Sequence, residues 1–77
     1  MNFMVIRSKF KILLADKEFK EGRRITYDEI CEETGISPST LSRFANNETK
    51  RFYSNTLGNL CKYFNCQVGD LLEYIPS

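Results

Sequence analysis

Ile25-Thr26-Tyr27-Asp28-Glu29-Ile30-Cys31-Glu32-Glu33-Thr34-Gly35-Ile36-Ser37-Pro38-Ser39-Thr40-Leu41-Ser42-Arg43-Phe44 is two short amphipathic helical patterns hinged at Gly35. Apolar or small residues at Ile30, Cys31, Ile36, Leu41 and Phe44 put one side of each helix against a shared core. Thr26 can cap the first helix, and Glu29 three residues later completes a capping box. Gly35 ends that helix because glycine accepts the left-handed conformation of a C-terminal cap. Ser37 is a good N-cap for the second, and Pro38 occupies the first helical position, where a missing N–H costs nothing. The second helix is expected to end near Ala45 or Asn46, with Asn46-Asn47 as the left-handed stop. It carries serines, a threonine and an arginine outward, a face that can enter the major groove of DNA.

The flanks on either side of this unit read as helical too. Phe3, Ile6, Phe10, Leu13 and Leu14 recur at helical spacing and predict a first helix over about 6–19. Phe3-Met4-Val5-Ile6 is also a good strand-forming run, so a short strand paired with Glu73-Tyr74-Ile75 is an alternative. Lys20-Glu21-Gly22-Arg23-Arg24 reads as a loop turning at Gly22. After a loop over 48–53, Ser54 or Asn55 caps a fourth helix whose buried stripe is Leu57, Leu60, Cys61 and Phe64. Asn65-Cys66-Gln67 is a tight link, Val68 to Leu72 is a final short helix, and Pro76 ends regular structure.

Composition limits the function classes. Seventy-seven residues make one small domain, and 42% apolar content suits a folded globule. No apolar run approaches the roughly 20 residues that span a membrane. The start lacks the apolar segment and cleavage site of a signal peptide, so a cytoplasmic location is expected. Three cysteines and no histidine argue against a disulfide framework and against a Cys/His zinc site. Cys31, Cys61 and Cys66 are expected to be small buried hydrophobes. With no histidine base, no glycine-rich phosphate loop and no paired carboxylates beyond Glu32-Glu33, no enzyme reading, metal or cofactor emerges.

Net charge is only +1, but it is segregated. Residues 1–25 carry seven Lys/Arg against three acids, whereas 26–35 hold four acids and no base. Residues 36–53 return to a net +2 and 54–77 close at −1. Basic segments therefore flank the hinged unit, although small proteins also segregate charge by chance.

Helix, Gly35 turn and helix, with Ile36, Leu41 and Phe44 at these offsets, then Asn46-Asn47 and a basic loop, resemble the Cro/phage-repressor (XRE) helix-turn-helix family. The tail from Arg51-Phe52 through Leu57, Leu60 and Cys61-Lys62-Tyr63-Phe64 to Leu71-Leu72-Glu73-Tyr74 is similar to small bacterial and phage regulators of that family. The resemblance covers roughly residues 5–75. It implies an all-α, compact five-helix, lambda-repressor-like domain spanning 1–77, with its motif at 26–46. It also implies sequence-specific binding of double-stranded DNA, homodimers on palindromic operators, and no catalysis.

Position by position, the resemblance makes 37–46 the recognition helix and Ser39, Thr40, Ser42 and Arg43 the base-contacting residues. A guanidinium can bond guanine N7 and O6 bidentately, which makes Arg43 the strongest single reader; a solvated or phosphate-bound arginine is its alternative. Thr26, Tyr27, Asn46, Lys50, Arg51 and Tyr53 match phosphate-contacting positions. For Tyr27, a half-buried ring packed on the first helix is an equal reading. Leu72, Tyr74 and Ile75 are the candidate dimer surface. Pro38 and Ser39 depart from the long amides with which several phage repressors read adenine. Glu48 stands where a base is common and would repel phosphate. The competing reading is a protein-interaction module of the same fold, such as an antitoxin, anti-repressor or adaptor. No small-molecule ligand is implied.

Overall fold

A computed structural model describes residues 6–49 and 51–76. Its order is β1 (Ile6–Ser8), α1 (Phe10–Glu21), α2 (Tyr27–Thr34), α3 (Pro38–Ala45), α4 (Ser54–Phe64), α5 (Val68–Leu71) and β2 (Leu72–Tyr74). Five helices enclose the core, and the two strands pair antiparallel with Ile6 opposite Tyr74, Arg7 opposite Glu73 and Ser8 opposite Leu72. Mostly helical, with a short terminal β pairing, this is the fold class expected from the sequence.

The core forms where the helical stripes converge. Phe10, Ile30, Leu41, Leu60 and Leu71, one from each helix, are fully buried. Phe10 is the hub: its ring meets Tyr27 at 5.6 Å, Phe44 at 6.3 Å and Phe64 at 5.5 Å, each edge to face. Such pairs add about 0.5–1.5 kcal/mol beyond the area they bury. This cluster fixes how α2 and α3 sit on α1.

The hinged unit follows its local signals. Thr26 caps α2, its hydroxyl accepting the Glu29 amide at 3.2 Å. The box is only half closed, because the Glu29 carboxylate turns instead to Arg23 at 3.0 and 2.6 Å. Gly35 ends α2 at φ 77°. Ser37 caps α3 by accepting the Thr40 amide at 3.3 Å, with Pro38 first in the helix. Loss of such a cap costs about 1 kcal/mol. The left-handed stop after α3 is Asn47, at φ 61°.

Three boundaries differ from the sequence reading. The first helix begins at Phe10, not Ile6, because the Ser8 hydroxyl accepts the Phe10 amide and the Lys9 amide donates to Leu71 O at 2.7 Å. Ile6 to Ser8 is therefore strand, close to the strand alternative; Phe3, Met4 and Val5 lie outside the described residues. The fourth helix is not capped by Ser54 or Asn55. Tyr53 occupies its N-cap, and no side-chain capping bond closes that end among the described residues. Leu72 belongs to β2 rather than to the last helix. Cys31, Cys61 and Cys66 are half-buried rather than buried, with Cys31 and Cys61 packed against the core.

Candidate nucleic-acid interface

The outward face of α3 is set by what its inward face must bury. Leu41, Phe44 and Ala45 are buried, so Ser39, Arg43 and Asn46, at spacings of four and three, share the solvent side. Ser42 is half-buried beside them, and its hydroxyl accepts the Asn46 amide nitrogen at 3.5 Å. Thr40 is also half-buried. Its hydroxyl accepts a 2.8 Å hydrogen bond from Ser37. Among the four base-contacting candidates, Ser39 and Arg43 are therefore the open pair. No ion pair engages Arg43 or Arg51 among the described residues.

The turn after α3 is tied down from two directions. The Glu48 amide donates to Arg43 O at 2.8 Å, closing the helix end. Asn47 Oδ1 accepts the Ser8 amide at 2.6 Å, linking the end of α3 to β1. The sequence marked Asn47 only as a turn residue; its partner lies 39 positions away and no local pattern announces it. Phe52, half-buried, sets its ring against Phe44 at 6.0 Å and anchors the chain between α3 and α4.

That anchoring brings separate segments together. Arg43, Glu48, Arg51, Phe52, Tyr53 and Leu57 are among the residues lining a cavity of about 330 Å³ between α3 and the start of α4. Thr40 lines it too, so two base-contacting and two phosphate-contacting candidates face one hollow. Tyr53 is 60% exposed. Beside it, the α4 N-terminus has no side-chain cap among the described residues. Uncapped amides and the positive end of the helix dipole favour an anion. The sequence reading missed this because it gave Ser54 or Asn55 the role of cap. Lys50, the remaining cation of the loop, lies outside the described residues.

At the other end of the motif, Thr26 is exposed and its hydroxyl already serves the Glu29 amide. Tyr27 is half-buried with its ring on Phe10 of α1. The neighbouring cations of the α1–α2 loop are largely occupied. Arg23 bridges Glu29 and Glu21, and Lys20 meets Asp16 at 3.1 Å. The Arg23 hydrogen bonds hold the Glu29 carboxyl below its ordinary range, and Lys17 does the same for Glu21. Arg24, 95% exposed, approaches Glu18 only at 3.9 Å. A second cavity of about 420 Å³, lined by Lys17, Glu21, Arg23, Glu33, Lys62 and Tyr63 among others, is polar but its Lys17, Glu21 and Arg23 are already paired.

The candidate dimer residues are split. Leu72 packs against the core, Ile75 is half-buried and Tyr74 is 65% exposed. Among the described residues no group of His, Cys, Asp and Glu could hold a metal ion, and no helix is long and apolar enough to cross a membrane.

The sequence matches the family described as the Cro/C1-type HTH DNA-binding domain over residues 9–77. It is also similar to an uncharacterized HTH-type transcriptional regulator, YozG, of Bacillus subtilis (strain 168), with 38% identity over 52 residues. That alignment covers 68% of this chain and 62% of the relative, so the chain spans somewhat less than two thirds of the relative's length. No solved structure matches.

Proposed function

Because the chain belongs to the Cro/C1-type helix-turn-helix DNA-binding domain family, we propose that it is a sequence-specific transcriptional regulator, acting as a repressor. In this reading α3 enters the major groove, with Arg43 the principal base reader and Ser39, Thr40 and Ser42 short-armed contributors. Thr26, Tyr27, Asn46, Lys50, Arg51, Tyr53 and the uncapped start of α4 grip the flanking phosphates. The carrying observation is that Arg43 and Arg51, both exposed and in no ion pair among the described residues, line one hollow beside that helix start.

The chain then works as a single domain, in the cytoplasm of a bacterium or from a phage genome. One domain reads one half-site, so a homodimer on a palindromic operator multiplies affinity, with exposed Tyr74, Leu72 and Ile75 as its contact. Short hydroxyls on α3 leave much of the specificity to Arg43 and to DNA shape. Sequencing the molecules bound from a random DNA pool at low salt tests the reading. A short consensus with inverted symmetry is expected, and no enrichment above background defeats it.

A second reading, a protein-interaction module of the same fold, draws on α1. Ile12 and Phe19, 65% and 86% exposed, lie on the side of α1 away from its buried Phe10 and Leu14. Exposed apolar residues in line mark contact surfaces. If the DNA pool gives no consensus while Phe19→Glu abolishes self-association or capture of a partner, this reading replaces the first.

A further inference from the structure

We propose that Cys61 and Cys66 are a redox-active pair that closes into an intramolecular disulfide across the corner between α4 and α5. The corner is a left-handed helix cap. Asn65 sits at φ 53°, ψ 56°, the Cys66 amide donates to Cys61 O at 2.9 Å, and the Asn65 amide donates to Lys62 O at 3.3 Å. These are the two hydrogen bonds of a Schellman motif, whose outer residues ordinarily set apolar side chains against each other. Here both outer residues are cysteines.

The backbone bond limits how far apart the two residues can be. Each Cα lies one or two covalent bonds beyond the bonded nitrogen and oxygen, which keeps the pair inside the roughly 4.4–6.8 Å span that a disulfide bridges. Both thiols are free and half-buried, and Cys61 packs against the core. Burial is the main influence on the Cys66 thiol and pushes it up. Cys31 makes the contrast, alone on α2 with no second cysteine near it in sequence.

The oxidant is a small-molecule disulfide such as oxidised glutathione. A thiolate of the pair attacks one glutathione sulfur, forming a mixed disulfide and expelling the first glutathione thiolate. The other cysteine, deprotonated, then displaces the second. Two protein thiols lose two protons and two electrons, and one glutathione disulfide becomes two glutathiones. The product pins Asn65 in its cap and fixes the corner from which α5 and β2 run back to β1. Cys61 lies seven residues, about two helical turns, along α4 from its proposed phosphate-gripping start at Ser54. The lock therefore acts on stability and leaves the reading face alone.

Incubating the full chain with oxidised glutathione, alkylating with iodoacetamide and weighing the intact protein tests this. The expected product is two hydrogens lighter than the reduced chain and carries one alkyl group, on Cys31, with a melting temperature several degrees higher. Cys66→Ser and Cys66→Ala, checked for native circular dichroism, should form no such species. Three alkyl groups throughout, or glutathione retained on Cys61 or Cys66 without ring closure, would overturn the proposal. So would closure without a rise in melting temperature.

Discussion

The α1–α2 loop and the α3–α4 loop show how far formal charge departs from usable charge. By sequence the segment leading into the first is richer in cations, since residues 1–25 hold seven Lys/Arg and 36–53 only three. In the folded chain most of the first set is engaged. Lys17, Lys20 and Arg23 are paired with carboxylates, and Arg7 is held by Glu73 at 3.0 Å across the strands. Among the described residues, Arg43 and Arg51 face solvent outside any such pair. Exposed ion pairs stabilise a fold little, but a phosphate must displace the carboxylate to use the cation. The segment with fewer charges is therefore the one whose described arginines stay open to an anionic partner.

Substitutions that move charge in each loop break or sharpen this contrast. Arg43→Ala should have the largest effect, losing about 1–3 kcal/mol at the preferred sequence and flattening base preference at one position. Competition binding with single-base variants of the selected DNA measures it. Arg51→Ala should weaken all sequences alike and reduce the salt slope by about one unit. Equal behaviour of the two variants would remove the distinction between reader and clamp. Glu48→Gln, which neutralises the acid lining the same hollow, should tighten DNA binding a few-fold at low salt. An unchanged affinity would mean that Glu48 faces no phosphate.

Arg23→Ala should leave DNA binding nearly untouched and show itself in acid instead. With Arg23 present, the Glu29 carboxyl titrates below its ordinary 4.5. Its contribution to stability is therefore present above that value and lost as pH falls through the lowered one. Removing the guanidinium returns Glu29 toward 4.5, so the variant's stability should depend less on pH below that point. Unfolding followed from pH 6 to pH 2 checks the change in slope. If DNA affinity falls instead, Arg23 is part of the interface.

What was legible in the sequence divides along the same line. Thr26, Gly35, Ser37, Pro38 and Asn47 act on their own backbone or on that of near neighbours, so caps, hinge and stop of the central motif could be read directly. The start of α1 could not, because Ile6 to Ser8 is decided by pairing with residues more than 60 positions away. Ile6 and Phe10 happen to share a helical spacing, and three-residue strands are too short to show their own period. Ser54 and Asn55 have the right chemistry for a cap, yet the chain turns into α4 at Tyr53 and leaves that end open. The candidate face on α3 was visible as a pattern. Which of its residues are open was not, because Ser37 occupies Thr40 and Asn46 reaches Ser42 only in the folded helix.

The central claim, that the α3 face and the start of α4 meet DNA while the paired cations Lys17, Lys20 and Arg23 do not, is open to one direct measurement. Isotope-labelled chain titrated with its selected duplex should show amide shifts at Ser39, Arg43, Asn46, Arg51 and Ser54 to Thr56. Amides of Lys17, Lys20 and Arg23 should stay in place. Shifts concentrated at Lys20 to Arg24, with α3 unmoved, would contradict the account.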